Sequence, residues 1–317
     1  MRDLAFSLYS ESLLHAIADS PATPYSLDFD ASARAWLTEL DKEPTALLAH
    51  LAQRTSTRLG LYFEALWSFY WRYVSSHRLL AHNLQLNRQG KTLGALDFVI
   101  ERSDGALVHI EAAAKFYLAN RERPDQTDIR SPWQSAYYDW IGPNANDRLA
   151  WKLEHMSRHQ LPLSTTPEAL TALQEKLGKP PVVHSQFLLR GCLFWPAVTP
   201  PALDAQAVLP SDDISRLANT GRWWHLADFL TQESLPGCDG FTLLPRNHWL
   251  SPACYPSAVV PLSLGGLKQA LLAQITQRRQ GVMAVGLQRR DEQWCESYRL
   301  FVVPNHWPGA ARPARST

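Results

Sequence analysis

The chain has 317 residues, of which 45% are hydrophobic, and 31 Lys plus Arg against 30 Asp plus Glu give a formal net charge of +1. This length and composition predict a globular protein with a sizeable core and about two domains, and they exclude a polycation that coats nucleic acid. No apolar run approaches the ~20 residues of a membrane-spanning helix, and the N-terminus lacks a secretory pattern, so we expect a cytoplasmic protein without membrane insertion.

The first elements are predicted to be helices. Residues 1–55 show helical spacing of apolar residues and predict N-terminal covering helices, one of which Asp30 would cap. Residues 58–74 repeat apolar side chains with the 3.6-residue period of a well-buried helix, at Leu59, Tyr62, Phe63, Leu66, Phe69, Tyr70 and Tyr73. Glu64 lies within this apolar stretch.

Three short apolar segments follow this helix, at residues 79–86, 92–100 and 106–118. The residues between them, "NRQGK" and "RSDG", are typical of hairpin turns. The three segments therefore predict an antiparallel meander.

The next segments predict two helices, at 144–161 and 166–177, and a long apolar strand at 180–195. A stretch rich in Pro and small residues, 196–213, suggests a domain boundary or an excursion loop. The remainder has one helix, several strands and a basic tail that we predict to be disordered. We therefore divide the chain into N-terminal helices at 1–55, a core at 56–195 and a C-terminal α+β extension at 196–317.

The four cysteines are far apart in the sequence and form no C-x-x-C pair. This spacing favours reduced core thiols over a disulfide or zinc framework. The four positions are Cys192, Cys238, Cys254 and Cys295.

Charged side chains interrupt the apolar pattern of the predicted meander. Strand alternation places Asp97 on the same face as His109, Glu111 and Lys115, opposite the apolar residues, with Gln85 alongside. A hairpin loop with an odd number of residues, centred on Asp104, would set Asp97 opposite Glu111 with Cβ atoms ~5 Å apart.

Two facing carboxylates repel each other unless a cation, a shared proton or Lys115 offsets their charge. Mg²⁺ is commonly bound by one or two carboxylates plus waters, which leaves room for a phosphate oxygen and an attacking water. The alternative is a solvated sheet face with a cross-strand ion pair and no ligand.

At these residues the chain resembles the PD-(D/E)xK, or restriction-endonuclease-like, superfamily, whose α/β core runs helix, three-strand meander, helix, strand. The segments "RLGLYFEALW", "HIEAAAKFYL" and "GPNANDRLAWKLEHMSRHQLPLS" more specifically resemble the bacterial domain-of-unknown-function family numbered eighteen fifty-three, through most of the chain. By position, the resemblance implies Asp97 and Glu111 as ligands of Mg²⁺ or Mn²⁺. It implies Glu64 as a residue that holds water at the metal, and Lys115 as the superfamily lysine.

The chain departs from the superfamily pattern at the lysine. The pattern places it two residues after the glutamate, where this chain has Ala113, and Lys115 lies four residues after Glu111. The side of the strand is kept, but the position is displaced by ~6.7 Å along it.

A second polar group lies on the predicted helix at 144–161. His155 and His159 are spaced i, i+4, which suits zinc, but no H-E-x-x-H glutamate accompanies them. Arg148 and Lys152 fall on the same predicted face, so a stripe contacting substrate phosphates is an alternative, and a solvated basic face is another.

These features lead to one leading hypothesis, a metal-dependent phosphodiesterase of nuclease type that acts on nucleic acid with Glu64, Asp97, Glu111 and Lys115 as its catalytic residues. The alternative is a non-catalytic module that retains the nuclease fold and binds nucleic acid or a protein. A scaffold that binds no nucleic acid is a third hypothesis, based on the low net charge.

Overall fold

The computed structural model describes residues 1–120, 139–177, 181–197 and 219–309. The chain forms two compact units, the first from Met1–Lys115 and Lys152–Gly191, and the second from Phe116–Trp151 and the described residues from Cys192 onward. Residues 198–213 of the predicted boundary stretch and 310–317 of the predicted tail lie outside the described residues. Among the described residues, none of the helices has both the length and the apolar character required of a membrane span.

The chain is a mixed α/β protein whose strands pair mostly antiparallel, in agreement with the predicted class. The N-terminal part of the first unit contains four helices and one short strand. These elements are α1 Arg2–Tyr9, β1 Thr23–Pro24, α2 Ala31–Lys42, α3 Thr45–Ala52 and α4 Leu59–Tyr73. The predicted cap of α2 is confirmed, since the Ala33 N–H donates to Asp30 Oδ1 at 2.7 Å.

Helix α4 packs against the rest of the first unit with two buried tryptophans on one of its faces. Trp67 and Trp71 have 0% and 2% exposed side chains, and the Trp71 ring lies 4.4 Å from that of Phe98 on the meander. This aromatic contact fixes α4, and with it Glu64, against the sheet. The predicted buried face was partly wrong, because Tyr73 is 61% exposed.

The predicted meander is confirmed as β2 Arg78–Arg88, β3 Lys91–Glu101 and β4 Leu107–Ala119, paired antiparallel in this order. Strands β2 and β3 meet at Gln89 and Gly90, which both have positive φ (48° and 79°), as the two central residues of a type I′ turn require.

A helical segment follows in place of the single helix predicted at 144–161. It consists of α5 Leu149–His155, a π-helical turn Met156–Gln160, a 3₁₀ turn Leu161–Thr165 and α6 Pro167–Leu177. The predicted start of α6 is confirmed, since the Ala169 N–H donates to Thr166 Oγ1 at 3.3 Å.

Strand β6, Val183–Pro196, lies beside β4 and pairs in parallel with β1. Gly191 of β6 has φ 144°, and a Cβ atom at this position would overlap the carbonyl oxygen of Lys115 on β4. Only glycine permits this close approach of the two backbones.

The second unit contains the remaining elements of the described residues. They are β5 Trp140–Ile141, β7 Thr220–His225, α7 Leu226–Leu230, β8 Gly240–Leu243, a 3₁₀ turn Arg246–His248, β9 Cys254–Pro256, α8 Leu264–Arg278, β10 Val282–Arg290 and β11 Gln293–Val303. Strands β7, β11, β10 and β8 are neighbours in this order, and β9 also pairs with β11. Helix α8 contributes Leu267, Leu271 and Ile275 to this unit's core, at the i, i+4 spacing of one helix face.

Candidate functional site

Asp97 lies where the pairing of β3 with β4 ends. The register pairs Phe98 with Ile110 and Val99 with His109, as predicted, and the pairing ends one residue before Asp97 and Glu111. The Ala112 N–H donates to Asp97 Oδ2 at 2.9 Å. The Asp97 carboxylate is therefore directed toward β4, at the point where the two strands separate.

Glu111 is fully buried, with 0% exposure, and both of its carboxylate oxygens accept hydrogen bonds. His109 Nε2 donates to Glu111 Oε1 at 2.9 Å, and Gln160 Nε2 donates to Glu111 Oε2 at 2.5 Å. His109 is likewise 0% exposed. The alternative of a solvated sheet face was therefore wrong at Glu111, whereas Asp97 and Lys115 are half-buried.

Lys152 reaches the carboxylate group through Gln160. Lys152 Nζ donates to Gln160 Oε1 at 2.8 Å, so one amide links the ammonium group to Glu111. Gln160 is the last residue of the π-helical turn, and such turns are frequent at functional sites because the extra residue redirects a side chain.

Three carboxylates, those of Glu64, Asp97 and Glu111, act on one another electrostatically in this buried region. Burial and the charge of Glu111 raise the pKa of Asp97 to about 8, against the Ala112 hydrogen bond and the charge of Lys152, which lower it. Burial and the charge of Glu111 also raise the pKa of Glu64 to about 7. The site is thus an acidic cluster with Lys152 as a nearby positive charge.

Among the described residues, no group of three or more His, Cys, Asp or Glu is arranged to hold a metal ion. Within the described residues, the candidate ligands are the two carboxylates of Asp97 and Glu111 on the neighbouring strands β3 and β4. Two carboxylates with water as the remaining ligands suit Mg²⁺. Their mutual repulsion in a desolvated site also favours a divalent cation, so this donor set fits the ion predicted from the sequence.

A hydrogen-bonded chain continues from Glu111 toward a cavity. Ser185 Oγ lies 3.4 Å from His109 Nδ1 and donates to the Leu161 carbonyl at 2.8 Å. Ser185 also lines a cavity of about 620 Å³, together with Arg102, Ser157 and other residues of the first unit. His109 thus holds Glu111 on one side and is held by the cavity wall on the other.

The remaining predicted residues lie in different environments. Gln85 is exposed, and its amide donates to Asn83 Oδ1 at 2.9 Å. Lys115 is half-buried on β4. Arg148 is buried, precedes α5 and stacks over Trp151, so the prediction that it belongs to an exposed helix face was wrong.

His155 and His159 are both exposed and lie side by side, with ring centroids 5.3 Å apart. Burial, together with the charges of Lys152 and His159, lowers the pKa of His155. The pair therefore shares one face, as its spacing indicated, beside the lysine of the acidic cluster.

Sequence reasoning missed the roles of Gln160, His109 and Ser185. His109 had a detectable signal, because its spacing of two from Glu111 places both on one strand face. Gln160 had none, since the π-helical turn that directs it toward Glu111 does not follow from the 3.6-residue period.

Fold and site together define a mixed α/β protein with a buried acidic cluster on a β-meander. The family model described as "Domain of unknown function (DUF1853)" matches residues 2–303, and the chain belongs to this family. No curated protein and no solved structure matches the chain.

Proposed function

We propose that this protein is a metal-dependent phosphodiesterase that cleaves nucleic acid. The observation that carries the proposal is the cluster of Glu64, Asp97 and Glu111, in which burial and like charge raise the pKa of two carboxyl groups. Perturbed carboxyl groups of this kind concentrate at functional sites. The order of elements in the first unit, α4, the β2–β4 meander, the α5–α6 segment and β6, is also the order expected of a PD-(D/E)xK core.

In this proposal Asp97 and Glu111 hold Mg²⁺ or Mn²⁺. The bound ion would supply Lewis-acid polarisation of a phosphate oxygen. His109 and Gln160 keep the Glu111 carboxylate in one orientation, since each donates to a different oxygen. The Ala112 N–H does the same for Asp97.

Glu64 takes the role of proton acceptor for the attacking water. Its pKa of about 7 allows it to accept a proton near neutral pH, which a carboxylate of ordinary pKa does poorly. Lys152 takes the role of stabilising the charge that develops on the phosphate. Its charge already acts on both Asp97 and Glu64, which makes it a stronger candidate for this role than Lys115.

The second candidate function is a non-catalytic module that binds nucleic acid or a protein. The observation that favours it is that both carboxylate oxygens of Glu111 already have hydrogen-bond partners, His109 and Gln160. A binding module would use the exposed histidine pair rather than the buried carboxylates. Its affinity for nucleic acid would fall steeply with salt.

The test is cleavage of plasmid and single-stranded substrates with Mg²⁺ or Mn²⁺, comparing wild type with Glu111→Ala, Lys152→Ala and Lys115→Ala. We expect metal-dependent cleavage that Glu111→Ala abolishes. We also expect Lys152→Ala to lower the rate at least about 100-fold and Lys115→Ala to lower it much less.

Absence of cleavage with every substrate and both metals, or cleavage unchanged in Glu111→Ala, would reject the catalytic function. Salt-sensitive binding without cleavage would then support the binding module. Equal losses in the two lysine variants would reject the assignment of Lys152 alone.

A further inference from the structure

Strands β9 and β11 of the second unit bring two distant cysteines together. Cys254 is the antiparallel partner of Cys295, and 41 positions separate them in the sequence. Both side chains are half-buried, and neither sulfur takes part in a disulfide. Directly opposed residues of a ladder project to the same face of the sheet, so the two thiols are neighbours.

The backbone hydrogen bonds identify the class of this pair. The Glu296 N–H donates to the Ala253 carbonyl at 2.8 Å, and the Ser257 N–H donates to the Glu292 carbonyl at 3.1 Å. Bonds at these offsets flank Cys254 and Cys295 instead of joining them, so the cysteines form a non-hydrogen-bonded pair. Such pairs have Cα atoms about 4.5 Å apart, the narrower of the two antiparallel spacings.

This spacing permits a covalent bridge. Disulfides span Cα separations of about 4.4 to 6.8 Å, so the pair lies at the short end of the allowed range. Cys254 Sγ now donates to Gln293 Oε1 at 3.0 Å, and Gln293 precedes Cys295 by two residues on the same strand. Rotation of the Cys254 side chain, with little movement of the backbone, brings its sulfur to Cys295.

We propose that Cys254 and Cys295 are a redox modification site that forms a reversible intramolecular disulfide when the protein meets hydrogen peroxide or a small disulfide such as oxidised glutathione. With peroxide, one thiolate attacks an oxygen, forms a sulfenic acid and displaces hydroxide; the second thiolate then attacks this sulfur and displaces a second hydroxide. The two hydroxides take up the two protons that the thiols released, so the products are the disulfide and two waters. With a small disulfide, two exchange steps form the bridge and release two thiols.

The partial exposure of both cysteines also predicts that the bridge is easily reduced. Both cysteines are half-buried, and partly exposed disulfides have higher reduction potentials than fully buried structural ones. The bridge would therefore respond to the redox state of its surroundings instead of acting as a permanent crosslink. It would join β9 covalently to β11.

The test uses the full chain, reduced and then treated with oxidised glutathione or hydrogen peroxide. After alkylation of the remaining thiols, trypsin cleaves after Arg246, Lys268, Arg290 and Arg299, which places the two cysteines on separate peptides, 247–268 and 291–299. Mass spectrometry without reduction then identifies any bridge. Non-reducing electrophoresis shows whether it lies within one chain.

We expect these two peptides to be linked in the monomer, with the link reversed by dithiothreitol, absent from Cys254→Ser and retained in Cys238→Ser. Cys238 is the matched control because it is also half-buried but contacts Tyr298. Separate glutathione adducts without a link, a link only between chains, or a link to another cysteine would each overturn the proposal. None of these readouts depends on nuclease activity.

Discussion

Replacing Asp97 by Asn should stabilise the protein relative to wild type as pH rises from 5 to 8, and it should remove the proposed cleavage activity. The pKa of Asp97 is raised to about 8 from an ordinary value of 3.8, because the side chain is buried beside Glu111. Between these two values the folded chain binds a proton that the unfolded chain has released. The free energy of unfolding therefore falls as pH rises from about 4 to 8, and it is highest below the unfolded pKa.

The size of the effect follows from the shift. Each pKa unit corresponds to about 1.4 kcal/mol, so three pH units from 5 to 8 remove up to about 4 kcal/mol of stability through Asp97. The amide oxygen that Asp97→Asn introduces can still accept the Ala112 N–H but carries no charge. We expect the variant to gain about 2 to 4 kcal/mol over wild type between pH 5 and pH 8.

The assay is urea unfolding of wild type and Asp97→Asn at several pH values from 5 to 8. Asp41→Asn is the matched control, because Asp41 is an exposed carboxylate on α2. This control should parallel wild type throughout. If Asp97→Asn also parallels wild type, Asp97 is not held protonated by its surroundings, and the reasoning on the acidic cluster fails.

Three further predictions concern the same unit. Gln160→Ala should lower metal-dependent cleavage about 10- to 100-fold while circular dichroism stays unchanged, because Glu111 loses an orienting donor. Glu64→Gln should flatten the pH dependence of stability between about 4.5 and 7, as measured by urea unfolding. Between these pH values the folded wild type keeps the Glu64 proton and the unfolded chain has released it, so wild-type stability falls as pH rises. Gly191→Ala should destabilise the fold by more than about 4 kcal/mol or prevent folding, because the new Cβ atom would overlap the Lys115 carbonyl oxygen. Gly60→Ala is the control: its Cβ atom would have no other atom within 4 Å, so this variant should stabilise α4 by up to about 1 kcal/mol in the same assay.

The meander could be predicted because local signals agree there. Period-two alternation marked the strands, and turn residues such as Gly90 marked their ends, so the register that pairs Phe98 with Ile110 followed from the loop at Asp104. The apolar face of α4 was predicted less well. Trp67 and Trp71, on the adjoining face, are buried more deeply than Tyr73. Tertiary packing, and not the apolar period alone, decides which face of the helix is buried.

Contacts between distant segments could not be predicted from local pattern. Gln160 meets Glu111 across 49 positions, through a π-helical turn that the sequence does not mark. Cys254 meets Cys295 only because β9 returns to pair with β11. The prediction that all four cysteines are core thiols was wrong for three of them, since only Cys192 is buried. A helical or strand period carries no information on such pairings.

The hydrogen bonds around Glu111 orient its carboxylate without a direct bond from Lys152. A lysine bonded directly to this carboxylate would fix its position but would also cancel its charge, which weakens its attraction for a divalent cation. The chain instead places the neutral amide of Gln160 between Lys152 and Glu111, with distances of 2.8 and 2.5 Å on its two sides. The Glu111 carboxylate is thus oriented by a neutral amide, and burial together with the charge of Glu111 raises the pKa of Asp97 and of Glu64. A Gln160→Lys variant should therefore lower both pKa values and weaken stabilisation by Mg²⁺, measured as the metal-induced rise in Tm. An unchanged rise would show that the amide serves packing alone.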